Sequence, residues 1–141
     1  MEREDYIHRL IRQFAEALAR LAGARDRGDH KKVIAEAERA WDELLGHPRA
    51  ILDVIDTPTF ASMLRDAEKM RIAAKLLVEE GKVRTASGDP VHAGICYRRA
   101  MELTLEARAI APADDDSAML FELGRVVQMN QLDPRYRSDG W

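Results

Sequence analysis

Residues 88–103 read GDPVHAGICYRRAMEL. The first three residues are a turn and a helix start. Gly88 tolerates the positive φ that ends a helix, Asp89 offers a carboxylate to cap the next, and Pro90 fills a first-turn position whose N–H would be unpaired anyway. Beyond them Ala93, Tyr97 and Ala100 recur about one helical turn apart. Small residues at that spacing let a neighbouring helix come close, and Tyr97 fills the space left beside them. Sliding the chain against itself by about 60 residues lays Gly28-Asp29 on Gly88-Asp89, Val33 on Ala93, Arg39-Ala40 on Arg99-Ala100 and Leu45 on Leu105. The pattern predicts two helical hairpins of one plan.

The rest of the chain is read outward from these hairpins as all-α. Ala, Leu, Arg and Glu are abundant helix formers, and no stretch alternates apolar with polar over a strand's length. A first helix over 4–24 carries Ile7, Leu10, Ile11, Phe14, Leu18 and Leu21 at three- and four-residue steps. Such a stripe can lie on a membrane, but in a small domain it serves as core. A second helix covers 30–45, with Val33, Ile34, Ala37, Ala40, Trp41, Leu44 and Leu45 inward, and a short one covers 49–55. A third, capped by Thr57, runs unbroken to Ser87, a fourth reaches Ala111 before Pro112, and a fifth covers 117–130. Residues 1–131 form one domain on this reading, and 132–141 a loose tail.

The 141 residues, 46% hydrophobic, bury one core. A net charge of −3 supplies no basic field for sequence-independent binding of nucleic acid, so no nucleic-acid partner is expected. The opening MEREDY lacks the pattern of a secretory signal, Cys96 has no cysteine to pair with, and no apolar run spans a bilayer. A cytoplasmic protein without a membrane partner is the expectation.

Gly88, Ala93, Tyr97 and Ala100 resemble the second helix of a tetratricopeptide repeat, with a small residue, an aromatic four later, then Ala. Gly81 stands where that family keeps the small residue of its first helix. Leu123-Gly124 resembles the pair that opens a further repeat, and Gly28, Val33, Ala37 and Ala40 match more loosely. The spacing departs from the family, being about 60 rather than the repeat's roughly 34. The layout beginning DYIHRLI is also similar to a group of short bacterial proteins of unknown function. The resemblance implies antiparallel hairpins stacked as a short right-handed array of five to six helices. It further implies a concave wall that holds a segment of another chain, as an adaptor or assembly module.

Within that frame Arg71, Lys75, Val78, Lys82 and Thr85 share one helix face, basic with an apolar centre. They are the expected binding residues for an acidic protein or peptide. The alternative is a small acidic ligand in the same groove, and a solvated face balanced by Glu79 and Glu80 is the ordinary reading. Residues 102–122 carry six acids and one arginine, opposite in sign, so a homo-oligomer could pair the two. Arg135, Tyr136, Arg137 and Trp141 are candidate anchors in the tail. Neither enzyme activity nor a cofactor or metal is expected. His92 and Cys96 lie one turn apart but lack a third ligand or orienting group, and ADDDS (113–117) lacks the alternating oxygens of a calcium loop.

Overall fold

The computed structural model describes residues 2–137, and among these residues the protein is all-helical. The chain divides into two compact units, Met1–Ile55 and Asp56–Trp141. In the first unit Gly46, at φ 72°, and the extended Pro48 separate the longer helices from a short 3-10 helix, Arg49–Asp53.

In the first unit α1 (Glu2–Asp26) packs on α2 (His30–Ala40). Leu10, Phe14, Ala17, Leu21 and Ala24 form the buried face of α1, at alternating steps of four and three. Of the predicted stripe, Ile11 is exposed and Ala17 and Ala24 take its place. Val33, Ala37 and Ala40 are the buried face of α2, which continues into a π-helical turn, Trp41–Leu45, burying Trp41, Leu44 and Leu45. The Arg49 guanidinium lies 5.8 Å from the Trp41 ring centroid.

The α1–α2 turn is closed at both ends by backbone and side chain. Gly28 sits at φ 71°, its N–H donates to the Arg25 carbonyl at 2.9 Å, and the Asp29 N–H reaches back to the Ala24 carbonyl at 2.9 Å. This pair of bonds satisfies carbonyls that the helix end leaves open. Asp29 then caps α2, accepting from the Lys32 N–H at 3.2 Å.

The second unit holds α3 (Thr57–Leu64), α4 (Ala67–Ala86), α5 (Pro90–Ile110) and α6 (Asp115–Gly124). The α4–α5 turn repeats these three bonds of the α1–α2 turn, while the His30 N–H bond to the Gly28 carbonyl at 3.1 Å has no counterpart because Pro90 has no N–H. Gly88 has φ 79°, Gly88 N–H donates to Thr85 at 3.1 Å, Asp89 N–H to Arg84 at 2.9 Å, and the Asp89 carboxylate caps His92 N–H at 3.3 Å. Gly81 on α4 lies under the Tyr97 ring of α5, where a Cβ would come within 2.6 Å of the ring.

The unbroken helix expected from 57 to the SGDP turn is two helices. Arg65 ends α3 at φ 64°, the one non-glycine positive φ among the described residues, with its N–H on the Ala61 carbonyl at 2.9 Å. A Cβ in that conformation costs about 1–2 kcal/mol. Asp66 starts α4 by accepting from Glu68 N–H at 2.8 Å. The cap of α3 is Asp56, one residue before the expected Thr57, because the Thr57 hydroxyl is spent on the buried Glu102 carboxylate at 2.6 Å.

The tail expected to be loose from residue 132 is packed as far as 137. Leu132 is 1% and Tyr136 7% exposed. The Asp133 N–H donates to Glu102 Oε2 at 2.9 Å, and the Tyr136 hydroxyl donates to Glu106 Oε2 at 2.5 Å. Two acids one turn apart on α5 hold the returning chain.

Candidate functional site

The α4 face predicted to hold an acidic partner begins at Arg71, and the structure takes that residue out of it. Residues 70–74 are all buried, so this stretch of α4 has no open side. Arg71 Nε and Nη2 grip the Asp116 carboxylate at 2.8 and 2.9 Å, Nη1 donates to Glu68 at 3.1 Å, and Nη2 also bonds the Ala111 carbonyl. Asp116 accepts the Ala113 N–H as well, at 2.9 Å. The guanidinium hydrogen bonds hold the Asp116 carboxyl below the usual carboxylate range against the opposing effect of burial, and Asp116 raises Arg71 in turn. Arg71 is therefore a structural strut whose guanidinium is held within the fold.

The other four residues of the face are more open. Lys75 and Val78 are half-buried, Lys82 is exposed and pairs with Glu79 at 3.2 Å, and Thr85 returns its hydroxyl to the Gly81 carbonyl at 2.9 Å. Glu80, expected to balance this stripe, is buried instead and accepts from Cys96 Sγ at 3.3 Å. Cys96 thus points between α4 and α5, whereas His92 is exposed and its Nδ1 lies 2.6 Å from its own cap, Asp89. The two do not share a site. The His92 bond holds the Asp89 carboxyl below its ordinary range. Among the described residues, no group of three or more His, Cys, Asp or Glu is placed to hold a metal ion. Nor is any helix there long and apolar enough to cross a membrane.

Several acids proposed to meet a second copy are likewise used internally. Glu102 is 1% exposed and accepts from Thr57, Asp133 and, at 3.4 Å, Arg98. Glu106 holds Tyr136, whose phenol is pushed up by burial and by that carboxylate. Of the tail anchors, Tyr136 is core, Arg137 bonds the Leu132 and Asn130 carbonyls at 2.9 and 2.8 Å, and Arg135 stays exposed. Trp141 lies outside the described residues.

Two features were missed from sequence. The first is the open side of the helix expected over 117–130, which as α6 ends at Gly124: Leu120 and Leu123 are buried while Phe121 is 73% exposed, followed by Val126 at 55% and Met129 at 44%. The signal was present in the run AMLFELGRVVQM, which has more apolar residues than one helix face can bury. The second is a cleft of ≈ 490 Å³ lined by α3, α5, Met70 and the tail. Nothing local in sequence marks it, because its walls are assembled from residues 58 to 135.

Comparison of the chain with protein-family models, curated proteins and solved structures finds no match.

Proposed function

We propose that the protein is a non-catalytic, tetratricopeptide-like interaction module that docks a helix of another protein through α6. What carries this reading is the exposure of Phe121, Val126 and Met129 on α6 and in the segment that follows it. Large apolar side chains exposed close together in sequence are the kind of surface that another protein segment covers. Phe121 supplies an aromatic anchor, with the exposed Val126 and Met129 within eight residues of it in sequence, the side-chain chemistry on which helix docking depends. The repeated Gly-Asp hairpin turn supports the repeat-like character.

The test is to purify the tagged full chain from its source cells beside Phe121→Glu/Val126→Glu, identify the proteins that accompany each, and titrate them. The wild type retains a partner that the double variant binds at least about thirtyfold more weakly, with unchanged helicity by circular dichroism. The same proteins at the same affinity in both samples overturn the reading. Sedimentation at several concentrations tells whether the partner is a second copy.

A further inference from the structure

The segment after α6 lies on α5 as a bound peptide lies in a groove. Its shape comes from its own bonds: the Gln128 N–H donates to the Gln131 side chain at 2.8 Å, the Tyr136 N–H to the Asp133 carbonyl at 2.9 Å, and the Arg137 guanidinium to the Leu132 and Asn130 carbonyls. Leu132 and Tyr136 are buried, and two carboxylates of α5 take the polar groups: Glu102 accepts the Asp133 N–H at 2.9 Å, and Glu106 the Tyr136 hydroxyl at 2.5 Å. We infer that this groove also takes the same segment from a second copy of the chain, so that two copies assemble by exchanging residues 129–137. The site is separate from the helix docking proposed for α6, since Phe121 takes no part in it.

Three observations support it. The occupant is specified because the groove is already filled: it takes an aliphatic side chain, the next residue's N–H and a tyrosine four residues after the aliphatic. Glu102 is also held by the Thr57 hydroxyl at 2.6 Å and by Arg98 at 3.4 Å, partners outside the segment. Its acceptor is therefore aimed the same way whichever chain supplies the Asp133 N–H. Next, the segment is portable. Each bond named above runs within it or from it to α5, and none depends on the link to α6. Finally, that link is the exposed part. Gln128 is extended, at φ −87° and ψ 145°, with Val126 55% and Met129 44% exposed on either side of it. A single chain leaves both side chains in water, whereas in an exchanged pair the two links pass each other and cover them. Monomer and exchanged dimer share the same segment-to-groove bonds, so the link decides between them. Within one chain the tethered segment competes at an effective concentration of about a millimolar, and exchange grows as the chain is concentrated toward that level.

The test uses the unaltered full chain, by sedimentation up to about a millimolar and by isotope-filtered NMR on an equal mixture of ¹³C-labelled and unlabelled protein. A dimer forms as concentration rises, and its interchain contacts join the Tyr136 ring of one copy to the Glu102 and Glu106 methylenes of the other. Leu132→Asp/Tyr136→Ser, which gives the segment no grip on either groove, dimerises at least about a hundredfold more weakly. Val126→Ser/Met129→Ser keeps the Tm of the dilute protein and dimerises at least about tenfold more weakly. Phe121→Glu dimerises as the wild type does. A chain that stays monomeric throughout, a dimer without the Tyr136 contacts between copies, or a dimer that Phe121→Glu dissolves each overturns the exchange. The NMR arm needs no substitution, so the outcome is decided even where Leu132→Asp/Tyr136→Ser fails to fold. A monomeric chain leaves the α6 reading intact, and a Phe121→Glu chain that keeps every partner removes that reading without touching this one.

Discussion

In the α1–α2 hairpin the buried positions are almost all carbon: Leu10, Phe14, Ala17, Leu21 and Ala24 on one helix, Val33, Ala37 and Ala40 on the other. The cross-helix ion pair of Arg20 with Glu36, at 3.0 Å, lies at the surface. In the α4–α5 hairpin, Arg71, Glu80, Glu102 and Thr104 are buried among the apolar side chains, each with a hydrogen-bond partner. The two share one turn geometry, yet at equivalent positions the sizes are exchanged. Leu21 corresponds to Gly81 and Ala37 to Tyr97, so the large residue has moved from the first helix to the second. A single turn design thus starts two hairpins whose interfaces are filled in different ways.

The largest effect should come from the charged strut. Arg71→Ala leaves Asp116 buried without its counterion and should destabilise the protein by about 3–5 kcal/mol. Arg20→Ala in the other hairpin should cost about 1 kcal/mol or less, since Arg20 is half in water. Urea unfolding of both variants checks the contrast, and similar losses would erase it. The strut also sets a pH window. Because the Asp116 carboxyl titrates lower in the folded chain than its unfolded value of about 3.9, its stabilisation is present above that pH and is lost as pH falls through the folded value. Asp116→Asn should therefore show a shallower loss of stability below about pH 4 than the wild type.

Next in size is Leu21→Ala, which removes a fully buried side chain and should cost about 2–5 kcal/mol by transfer and cavity terms. The equivalent position in the second hairpin should behave in the opposite sense. Gly81→Ala adds a methyl that meets Tyr97 at 2.6 Å, and the overpacking of about 1–3 kcal/mol outweighs the roughly 1 kcal/mol gain in helix propensity. In a Tyr97→Ala background the clash is gone, and the same substitution should stabilise. A double-mutant cycle measures that change of sign, and additivity would show that the ring does not depend on the glycine.

What could be read from sequence follows the same division. The hairpin turns were legible because Gly28, Asp29, Gly88 and Asp89 each do a local job that only a few residue types can do. The break between α3 and α4 was not, since its positive φ is carried by an arginine instead of glycine. Local rules fail most informatively where a residue has been kept against its own conformational preference, and Arg65 lines the cleft beside α3 and α5. Arg71 was placed on an open face because charge normally means exposure, and its partner Asp116 is 45 residues away. The packed tail escaped notice because two anchors, Leu132 and Tyr136, make no period.

The smallest test asks whether the two turns are truly one device. At Gly28 and Gly88 nothing lies within 4 Å of an added Cβ, so alanine at either position meets no neighbour and pays only for the left-handed backbone, at φ 71° and 79°. Gly28→Ala and Gly88→Ala should each cost about 1–2 kcal/mol. Because the three main flanking hydrogen bonds correspond, the two losses should agree within about 0.5 kcal/mol. The hairpins around them are packed so differently that agreement can arise only if the cost is local to the turn. A large difference, measured by urea unfolding of both variants under one set of conditions, would mean that each turn answers to the helices it joins. Arg65→Gly completes the set in the reverse direction. If left-handed geometry governs all three positions, glycine there should stabilise by an amount comparable to what alanine costs at the other two.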